Sequence, residues 1–273
     1  MTDIIGVMGC GWLGLALAKD LLKSGHIVKG TTTSIAKLKT LKKEGIEGFV
    51  LKLNEDGIEG DIQGFLSNTN TLVINIPPGL KNSNAGNYVS KIGLLLKEIQ
   101  NTVVKNIVFV SSTSVYGNID GEITETTKPQ PLTESGKQLV VCEKLFLENS
   151  EFNTAIIRFG GLIGADRHPI NYLAGKTGLQ NGEELVNLIH RDDCIHMIKT
   201  IIKNGYWNMI FNGVYPLHPT KKEYYSAEAL KRGLPTPEFK NSSVKRSKKS
   251  IISKNFLNKS HFLFTSIISK FTT

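Results

Sequence analysis

A glycine-rich turn that directly follows an apolar segment constrains the fold of this chain more than any other feature. Residues 4–8 are apolar enough to form a buried strand, and they lead into a GxGxxG pattern at residues 9–14. Residues 12–22 are good helix formers, and Gly25 is placed to end that helix. A second strand is predicted at residues 27–31. This order of strand, turn, helix and strand predicts an α/β fold.

Each glycine of the turn has a different predicted role. Gly9 permits the tight turn, Gly11 lets the backbone approach a pyrophosphate, and Gly14 lets the helix pack closely on the strand. A phosphate would lie at the helix N-terminus, where unpaired N–H groups and the helix dipole favour negative charge. The alternative is a tight turn without a ligand. The residues predicted here to bind a dinucleotide are Gly9, Gly11, Trp12, Leu13 and Gly14.

Apolar segments alternate with helix-like segments farther along the chain. Strands are predicted at residues 49–53, 71–76, 106–110 and 154–159, and helices at residues 86–101 and 137–148. Such alternation is typical of parallel strands joined by crossover helices. We therefore predict a Rossmann-like, doubly wound parallel sheet with a smaller C-terminal substrate lobe. The predicted domains are residues 1–160, which bind the nucleotide, and residues 161–273, a mixed α/β lobe with one crossover that completes the sheet and a basic tail.

The end of the second strand bears on which dinucleotide would bind, because ligands of doubly wound sheets lie beyond the carboxyl ends of the strands. An NAD site normally has Asp or Glu here to accept hydrogen bonds from the ribose 2′-OH. This chain has hydroxyl residues and a lysine instead, which favours the 2′-phosphate of NADP over NAD. The same hydroxyls are also typical of a helix cap. The residues concerned are Thr31, Thr32, Thr33 and Lys37.

Two further strand ends contribute to the predicted site. The fourth strand ends in Ile76-Pro77-Pro78, where the prolines either shape the wall against the nicotinamide ribose or simply end the strand. The fifth strand ends in a serine-rich segment at residues 111–117 that closes with Val-Tyr-Gly. We predict that Ile76, Pro77, Pro78 and Ser111 contact the cofactor.

The serine-rich segment resembles that of the extended short-chain dehydrogenase/reductases, the NAD(P)-dependent epimerase/dehydratase-like family. Residues 157–164 and 187–193 follow as landmarks in the family's order, and the resemblance covers residues 4 to about 240. It implies a nicotinamide cofactor. It also implies that Ser112, four residues before Tyr116, binds the reacting oxygen of the substrate.

The chain departs from this family at the catalytic Tyr and Lys. If Glu143 is aligned with the family's usual glutamate, Ser135 and Leu139 stand at the two positions. If Lys137 is aligned with the lysine, Thr133 stands at the tyrosine. Serine and threonine hydroxyls are too weakly acidic to replace a tyrosine without another base.

The chain therefore resembles the atypical members of the family, which keep the nucleotide site without the usual catalytic residues. This resemblance implies an oxidoreductase or a nucleotide-sugar epimerase/dehydratase-like enzyme with unconventional catalysis. The alternative is a non-catalytic NADP-binding sensor or regulatory protein. Tyr116 is the one phenol in these motifs and is a candidate catalytic residue besides Ser112. Lys137 is a candidate contact to cofactor phosphate or ribose, or else an exposed residue.

The positive charge of the chain is concentrated near its C-terminal end. The formal net charge is +9, and eight basic residues but no acidic residue follow Glu238. A basic segment can bind phosphate backbones without sequence preference. Nucleic-acid binding is nevertheless not expected, because no recognisable nucleic-acid module precedes this segment. We expect a solvated or loosely packed tail containing Lys240, Lys245, Arg246, Lys248, Lys249, Lys254, Lys259 and Lys270.

The remaining expectations concern compartment and assembly. Three widely spaced cysteines suit a reducing compartment, Thr2-Asp3 lacks the basic charge of an export signal, and no apolar run has the length of a membrane span. We expect a cytoplasmic protein that does not bind a membrane, acts on an unidentified small molecule and is a candidate homodimer.

Several residues in the second half of the chain leave alternatives open. Arg158 either binds a ligand or forms an ion pair at the crevice. Arg167 and His168 are placed where they could face a substrate. No metal site is predicted, because the histidines and acids of residues 190–196 lack a metal-binding spacing. Asp192 or Asp193 is instead expected to cap a helix, and Thr220 with Glu223 is predicted to form a capping box.

Overall fold

The computed structural model describes residues 3–79, 87–240 and 248–264. The strands are β1 Ile4–Met8, β2 Ile27–Thr32, β3 Glu47–Val50, β4 Lys52–Leu53, β5 Ile58–Glu59, β6 Thr71–Ile74, β7 Asn106–Ser112, β8 Glu122–Ile123, β9 Asn153–Phe159, β10 Gly161–Ile163, β11 Leu188–His190, β12 Met209–Gly213 and β13 Ser250–Ile251. The helices are α1 Trp12–Lys23, α2 Ile35–Lys43, α3 Ile62–Leu66, α4 Tyr88–Gln100, α5 Glu134–Leu147, α6 Ile170–Leu173, α7 Arg191–Asn204, α8 Lys221–Lys231 and α9 Lys254–Leu257, and a 3₁₀ turn spans Thr113–Tyr116.

A seven-stranded parallel sheet forms the centre of the molecule. Its strand order is β12-β9-β7-β6-β1-β2-β3. The chain builds outward from β1 to β3 and then returns to the other side of β1 with β6. The predicted Rossmann-like, doubly wound sheet is confirmed. Its topological switch point lies between β1 and β6, where this class of sheet opens a crevice for ligands.

Helices cover both faces of the sheet and bury an apolar layer on each. On one face, Leu17 of α1 and Ile198 of α7 pack against strand residues such as Val7. On the other face, Ile92 of α4 and Phe146 of α5 belong to the second layer. The burial of both faces explains why the central strands are continuous apolar runs rather than alternating ones.

The third strand is shorter than predicted. The single strand expected at residues 49–53 is wrong, because β3 ends at Val50 and residues 52–53 pair antiparallel with β5. Between them, the Leu51 N–H donates to the Thr32 carbonyl at 3.0 Å. The short hairpin that follows reaches the carboxyl edge of the sheet, next to the switch point.

Residues beyond β9 contribute both to the sheet and to a separate small core. Helix α7 packs beside α1, and β12 completes the sheet next to β9. A third apolar cluster is formed by α6, α8 and the β10–β11 pair, with Ile170 and Tyr224 fully buried at its centre. The capping box at Thr220 and Glu223 is present at the start of α8, as predicted.

The described part of the basic tail is packed rather than loose, so that expectation is wrong for residues 248–264. Strand β13 pairs with β8, and the side chains of Ile251 and Phe256 are buried in the two layers that flank the sheet. Lys245, Arg246 and Lys270 lie outside the described residues. None of the helices in residues 3–79, 87–240 and 248–264 combines the length and apolar character needed to cross a bilayer.

Candidate functional site

Two adjoining crevices open at the carboxyl ends of the strands. The first has a volume of 590 Å³, and we call it the lysine crevice because its charged lining residues are Lys37, Lys52 and Lys91. The second has a volume of 440 Å³, and we call it the serine crevice after Ser111 and Ser112. The lining that the two crevices share consists of Gly9, Gly11, Ile76, Pro77 and Pro78.

The glycine turn between the crevices is packed on one side and open on the other. Gly9 has φ +98°, and a Cβ atom there would lie 2.5 Å from the Asn75 carbonyl oxygen. A Cβ on Gly14 would lie 2.1 Å from the Gly9 carbonyl oxygen. A Cβ on Gly11, in contrast, would meet no atom within 4 Å. The turn thus leaves free space above Gly11 at the N-terminus of α1, which is the place predicted from the sequence for a pyrophosphate.

The position of the turn is fixed by neighbouring strand ends. The Gly9 N–H donates to the Thr31 hydroxyl oxygen at 2.9 Å, and the Asn75 side-chain amide donates to the Gly9 carbonyl at 3.1 Å. Both partners follow directly from the parallel sheet, because β2 and β6 flank β1. Thr31, one of the predicted cofactor residues, therefore contributes by holding the glycine turn.

The other two hydroxyls at the end of β2, those of Thr32 and Thr33, also line the lysine crevice, and α2 has no side-chain hydrogen bond at its N-cap. Thr32 is buried, and its hydroxyl oxygen accepts a hydrogen bond from the Ser34 N–H at 3.2 Å just before α2. Thr33 and Lys37 are exposed and line the lysine crevice. The described lining of this crevice contains no carboxylate, so its charged side chains are all positive.

Tyr88 is a buried phenol at the border of the lysine crevice. Its hydroxyl donates to the Ile76 carbonyl at 2.7 Å, just before the two prolines. Burial raises the pKa of Tyr88 far above its usual value. The phenol therefore remains protonated and holds the segment that both crevices share.

Ser111 and Ser112 both line the serine crevice, but their hydroxyls have different partners. The buried Ser111 hydroxyl donates to the Glu143 carboxylate at 2.6 Å. The Ser112 hydroxyl oxygen accepts a hydrogen bond from the Ser114 N–H at 3.1 Å. Because a serine hydroxyl also carries one donor, Ser112 can still donate to an oxygen atom in the crevice.

Behind the two serines, Arg158 forms a buried ion pair with Glu143. Its guanidinium donates to both carboxylate oxygens, with a shortest distance of 2.6 Å, and both side chains are 3% exposed. Arg158 also donates to the Tyr116 hydroxyl at 2.9 Å. Of the two roles considered from the sequence, the structure places Arg158 in the ion pair.

Tyr116 lies inside this network rather than in a crevice. Its side chain is fully buried, and its hydroxyl reaches the Asn212 side-chain oxygen at 2.8 Å besides Arg158. Burial raises the pKa of Tyr116. A buried, protonated phenol with its partners already in place favours a structural role over the catalytic role considered from the sequence.

The positions of the missing Tyr and Lys are occupied by residues of α5. In the alignment on Glu143, Leu139 at the lysine position lines the serine crevice together with Ser112, whereas Ser135 at the tyrosine position is not part of the described lining. Lys137 is exposed and is not part of the described lining of either crevice. No phenol or ammonium group therefore faces the serine crevice from the described residues of α5.

The loop after β10 places one charged side chain at the serine crevice. Arg167 belongs to the crevice lining, whereas its neighbour His168 is buried and contacts the Tyr224 hydroxyl at 2.8 Å. Of the two residues considered for facing a substrate, only Arg167 is part of the described crevice lining. The Arg167 guanidinium lies 5.1 Å from the centre of the Trp12 ring.

Helix α7 begins with a histidine cap rather than with the expected aspartate. The His190 Nδ1 accepts a hydrogen bond from the Asp192 N–H at 3.2 Å, so the expectation that Asp192 or Asp193 caps the helix is wrong. Both aspartates lie in the first turn, where their charge stabilises the helix dipole. In the described part of the chain, no cluster of His, Cys, Asp and Glu is arranged for a metal ion.

Several crevice residues were missed by the sequence reasoning. The lysine crevice is also lined by the β3–β4 segment, and by Tyr88 and Lys91 at the start of α4. The β3–β4 segment could have been expected at the site, because it follows the carboxyl end of a strand. The missed lining residues include Leu51, Lys52, Leu53, Asn54, Tyr88 and Lys91 for the lysine crevice, and Leu139, Phe159 and Leu162 for the serine crevice.

No model of a known protein family matches the chain. Among curated proteins, Protein YeeZ of Escherichia coli K12 is 32% identical over 239 residues, which cover 87% of this chain and 87% of that protein. The identity and the coverage are both high enough to indicate membership of one family.

Two solved structures show the same fold at lower identity. The UDP-glucuronic acid 4-epimerase of Bacillus cereus, solved with UDP-glucuronic acid and NAD, has a TM-score of 0.78 and 18% identity, and the match covers 97% of this chain and 95% of that chain. A short-chain dehydrogenase/reductase superfamily protein of Agrobacterium tumefaciens with bound NAD also has a TM-score of 0.78 and 18% identity, covering 97% and 94% of the two chains.

Proposed function

The chain belongs to the same family as Protein YeeZ of Escherichia coli, and it shares its fold with NAD-dependent epimerases and a short-chain dehydrogenase/reductase superfamily protein. From this premise we propose that it is an NADP-binding oxidoreductase or epimerase of the NAD(P)-dependent epimerase/dehydratase-like, extended short-chain dehydrogenase/reductase type. The observation that carries the proposal is the glycine turn, which is closed behind Gly9 and Gly14 and open above Gly11. Two proteins of the same fold were solved with NAD, which supports a nicotinamide cofactor.

The two crevices suit the two halves of such a cofactor. The lysine crevice has the position of the adenosine half, beyond β2 and β3, and the pyrophosphate would lie against the backbone of Gly11, Trp12 and Leu13. The serine crevice would receive the nicotinamide half and a substrate. When bound, the cofactor supplies hydride transfer, and the protein supplies binding and orientation.

The charge of the lysine crevice supports NADP rather than NAD. Thr33 and Lys37 lie where a ribose 2′-phosphate is expected, and no carboxylate of the described lining is available to accept from a 2′-OH. Lys52 also lines this crevice, but its charge is offset by the ion pair with Glu59 at 3.3 Å. A phosphate gains charge-assisted hydrogen bonds here that a hydroxyl would not gain.

Binding isotherms with NADPH and NADH test this preference. We expect NADPH to bind more tightly, and Lys37→Gln to weaken NADPH binding about tenfold with little effect on NADH. Lys39→Gln is the matched control, because Lys39 is exposed on α2 but outside the described crevice lining. Tighter binding of NADH would overturn the preference for NADP, and failure to bind either dinucleotide would overturn the proposed function.

Ser112 is the proposed catalytic residue. Its hydroxyl accepts from the Ser114 N–H and keeps its own hydrogen to donate to the reacting oxygen of a substrate. A fixed donor of this kind stabilises the charge that develops on the oxygen when hydride is transferred. Apolar neighbours, including Leu139 and Phe159, line the same crevice and would limit the access of water to a bound substrate.

A turnover assay tests this role. NADPH oxidation would be followed across a panel of carbonyl compounds and nucleotide sugars. With any substrate found, Ser112→Ala should lower kcat/KM about a hundredfold, while Ser114→Ala, which leaves the backbone donor in place, should not. Equal effects of the two substitutions would contradict the proposed role of Ser112.

A non-catalytic NADP sensor is the second candidate, and Leu139 is the observation that favours it. The side chain that faces Ser112 from α5 can neither hold a ribose nor influence a proton. A sensor would bind NADPH but would show no turnover with any compound of the panel. Turnover that depends on Ser112 would exclude this candidate.

A further inference from the structure

The turn that holds Ser112 is contacted by a lysine from near the other end of the chain. The Ser114 N–H, which donates to the Ser112 hydroxyl at 3.1 Å, belongs to the 3₁₀ turn Thr113–Tyr116. Gly117 ends this turn with φ +57°, and its N–H donates to the Ser114 carbonyl at 3.2 Å. The Gly117 carbonyl accepts from the ammonium group of Lys249 at 2.6 Å. A short series of hydrogen bonds thus joins Lys249 to the Ser112 hydroxyl.

The backbone of Lys249 is held in place by Asn187. The Asn187 side-chain amide donates to the Lys249 carbonyl at 2.9 Å, and its side-chain oxygen accepts from the Ile251 N–H at 2.8 Å. The Asn187 carbonyl accepts from the Gly161 N–H at 2.9 Å, next to Gly160 of the serine-crevice lining. Because the Lys249 side chain extends from a fixed backbone, less conformational entropy is lost when its ammonium is ordered.

The Lys249 ammonium is half-buried and is held by a hydrogen bond rather than by an ion pair. Within the described part of the chain, no carboxylate contacts it. Burial lowers the pKa of Lys249, since removing its charge from water costs free energy. A lysine that contributed only surface charge would avoid this cost by keeping its ammonium in water. The burial therefore supports a specific role for the ammonium at Gly117.

We propose that Lys249 is a positioning residue, which caps the Gly117 carbonyl, holds the Ser114 N–H against Ser112 and so fixes the direction in which the Ser112 hydroxyl donates. A lysine is suited to this place, because its ammonium can donate to the carbonyls at the end of a helical turn. Small displacements of a catalytic group are enough to lower a reaction rate. This inference rests on the proposed function, since only that function gives Ser112 a catalytic role.

Hydrogen–deuterium exchange of the full chain tests the inference without a substrate. In Lys249→Met, the amides of residues 112–118 should exchange about tenfold faster, while those of β1 and β6 keep their rates. Lys248→Met is the matched control, because Lys248 is exposed and contacts Asp120 through its backbone N–H rather than its side chain. Equal exchange of residues 112–118 in the two variants, or faster exchange throughout the sheet in Lys249→Met, would overturn the positioning role.

Turnover kinetics show whether the ammonium acts through Ser112. With a substrate found in the panel of carbonyl compounds and nucleotide sugars, Lys249→Met should lower kcat about tenfold and leave KM and NADPH affinity nearly unchanged. Lys249→Arg keeps a charged donor and should recover part of the loss. In a protein that already carries Ser112→Ala, Lys249→Met should have little further effect. Equal losses of kcat with and without the Ser112 hydroxyl would contradict the inference.

The two measurements separate this inference from the proposed function. If the protein binds neither NADPH nor NADH, or turns over no compound of the panel, the proposed catalytic function fails, and the exchange data alone decide whether Lys249 holds the turn. If turnover depends on Ser112 but is the same in Lys249→Met, the proposed function stands and the role of Lys249 is overturned.

Discussion

Ser111 and Ser112 are neighbours in the chain but differ in what their hydroxyls can still do. Ser111 donates its hydrogen to the buried Glu143, so it anchors the end of β7 to α5. Ser112 accepts from a backbone N–H and retains its hydrogen. The difference follows from what lies within reach of each hydroxyl, which is the carboxylate of Glu143 for Ser111 and the backbone N–H of Ser114 for Ser112. It supports Ser112, rather than Ser111, as the donor in the crevice.

His168 predicts how stability depends on pH. Its Nδ1 accepts from the Ile170 N–H at 3.2 Å, which requires a neutral ring, and burial together with the nearby charge of Arg232 lowers the pKa of His168 to about 4. In the unfolded chain, the pKa of His168 is near its ordinary value of about 6.5. This contribution to stability is therefore present above pH 6.5 and is lost as the pH falls from about 6.5 to about 4.

Urea unfolding at several pH values measures this effect. Over that interval the free energy of unfolding should fall by up to about 3 kcal/mol more in the unmodified protein than in His168→Asn. Subtracting the variant's pH profile removes the contribution of carboxyl groups common to both proteins. Parallel profiles would contradict a buried neutral His168.

The glycine turn predicts a position-dependent effect of adding a single methyl group. Gly14→Ala would place a Cβ 2.1 Å from the Gly9 carbonyl oxygen, so the turn must shift. We expect a loss of about 1–3 kcal/mol in stability together with weaker NADPH binding. Gly93→Ala is the matched control within α4, because its Cβ would meet no atom within 4 Å. Similar results for both variants, in thermal unfolding and in binding, would refute this reading of the turn.

Elements with a local signal could be predicted from the sequence, whereas parts of the site that depend on distant segments could not. The strand and GxGxxG turn at residues 4–14 and the capping box at Thr220 are short-range patterns, and both are present. Tyr88 and Lys91 reach the lysine crevice only because α4 begins beside the end of β6. No local pattern specifies that meeting, since it depends on the packing of the whole sheet.

A similar limit applies to caps and side-chain pairing. The cap at His190 was missed because Asp and Asn are the commoner capping residues, and a histidine acts through its ring nitrogen. The sequence left Arg158 with two roles, because only folding brings Glu143 of α5 against β9. In both cases the residue type was visible, but its partner was fixed by tertiary structure.

The segment at residues 248–264 is an integral part of the folded molecule. Its composition is basic, which suggested a loose tail, but it adds β13 to β8 and inserts Phe256 beside α7 and β12. The Asn212 side-chain amide also donates to the Ile252 carbonyl at 3.0 Å. Asn212 accepts from the Tyr116 hydroxyl, so the segment is joined to the buried network behind Ser111. Its integrity should therefore matter for the fold and not only for surface charge.

Phe256 provides the test of that role. Its side chain is fully buried and contacts the rings of Phe211 and His196, so Phe256→Ala should lower the free energy of unfolding by about 3–5 kcal/mol through lost burial and the remaining cavity. Phe264→Ala is the matched control, because Phe264 is 68% exposed and its removal should cost far less. Chemical unfolding of the three proteins measures the difference. If Phe256→Ala were no more destabilising than Phe264→Ala, the segment would not be part of the cooperative core.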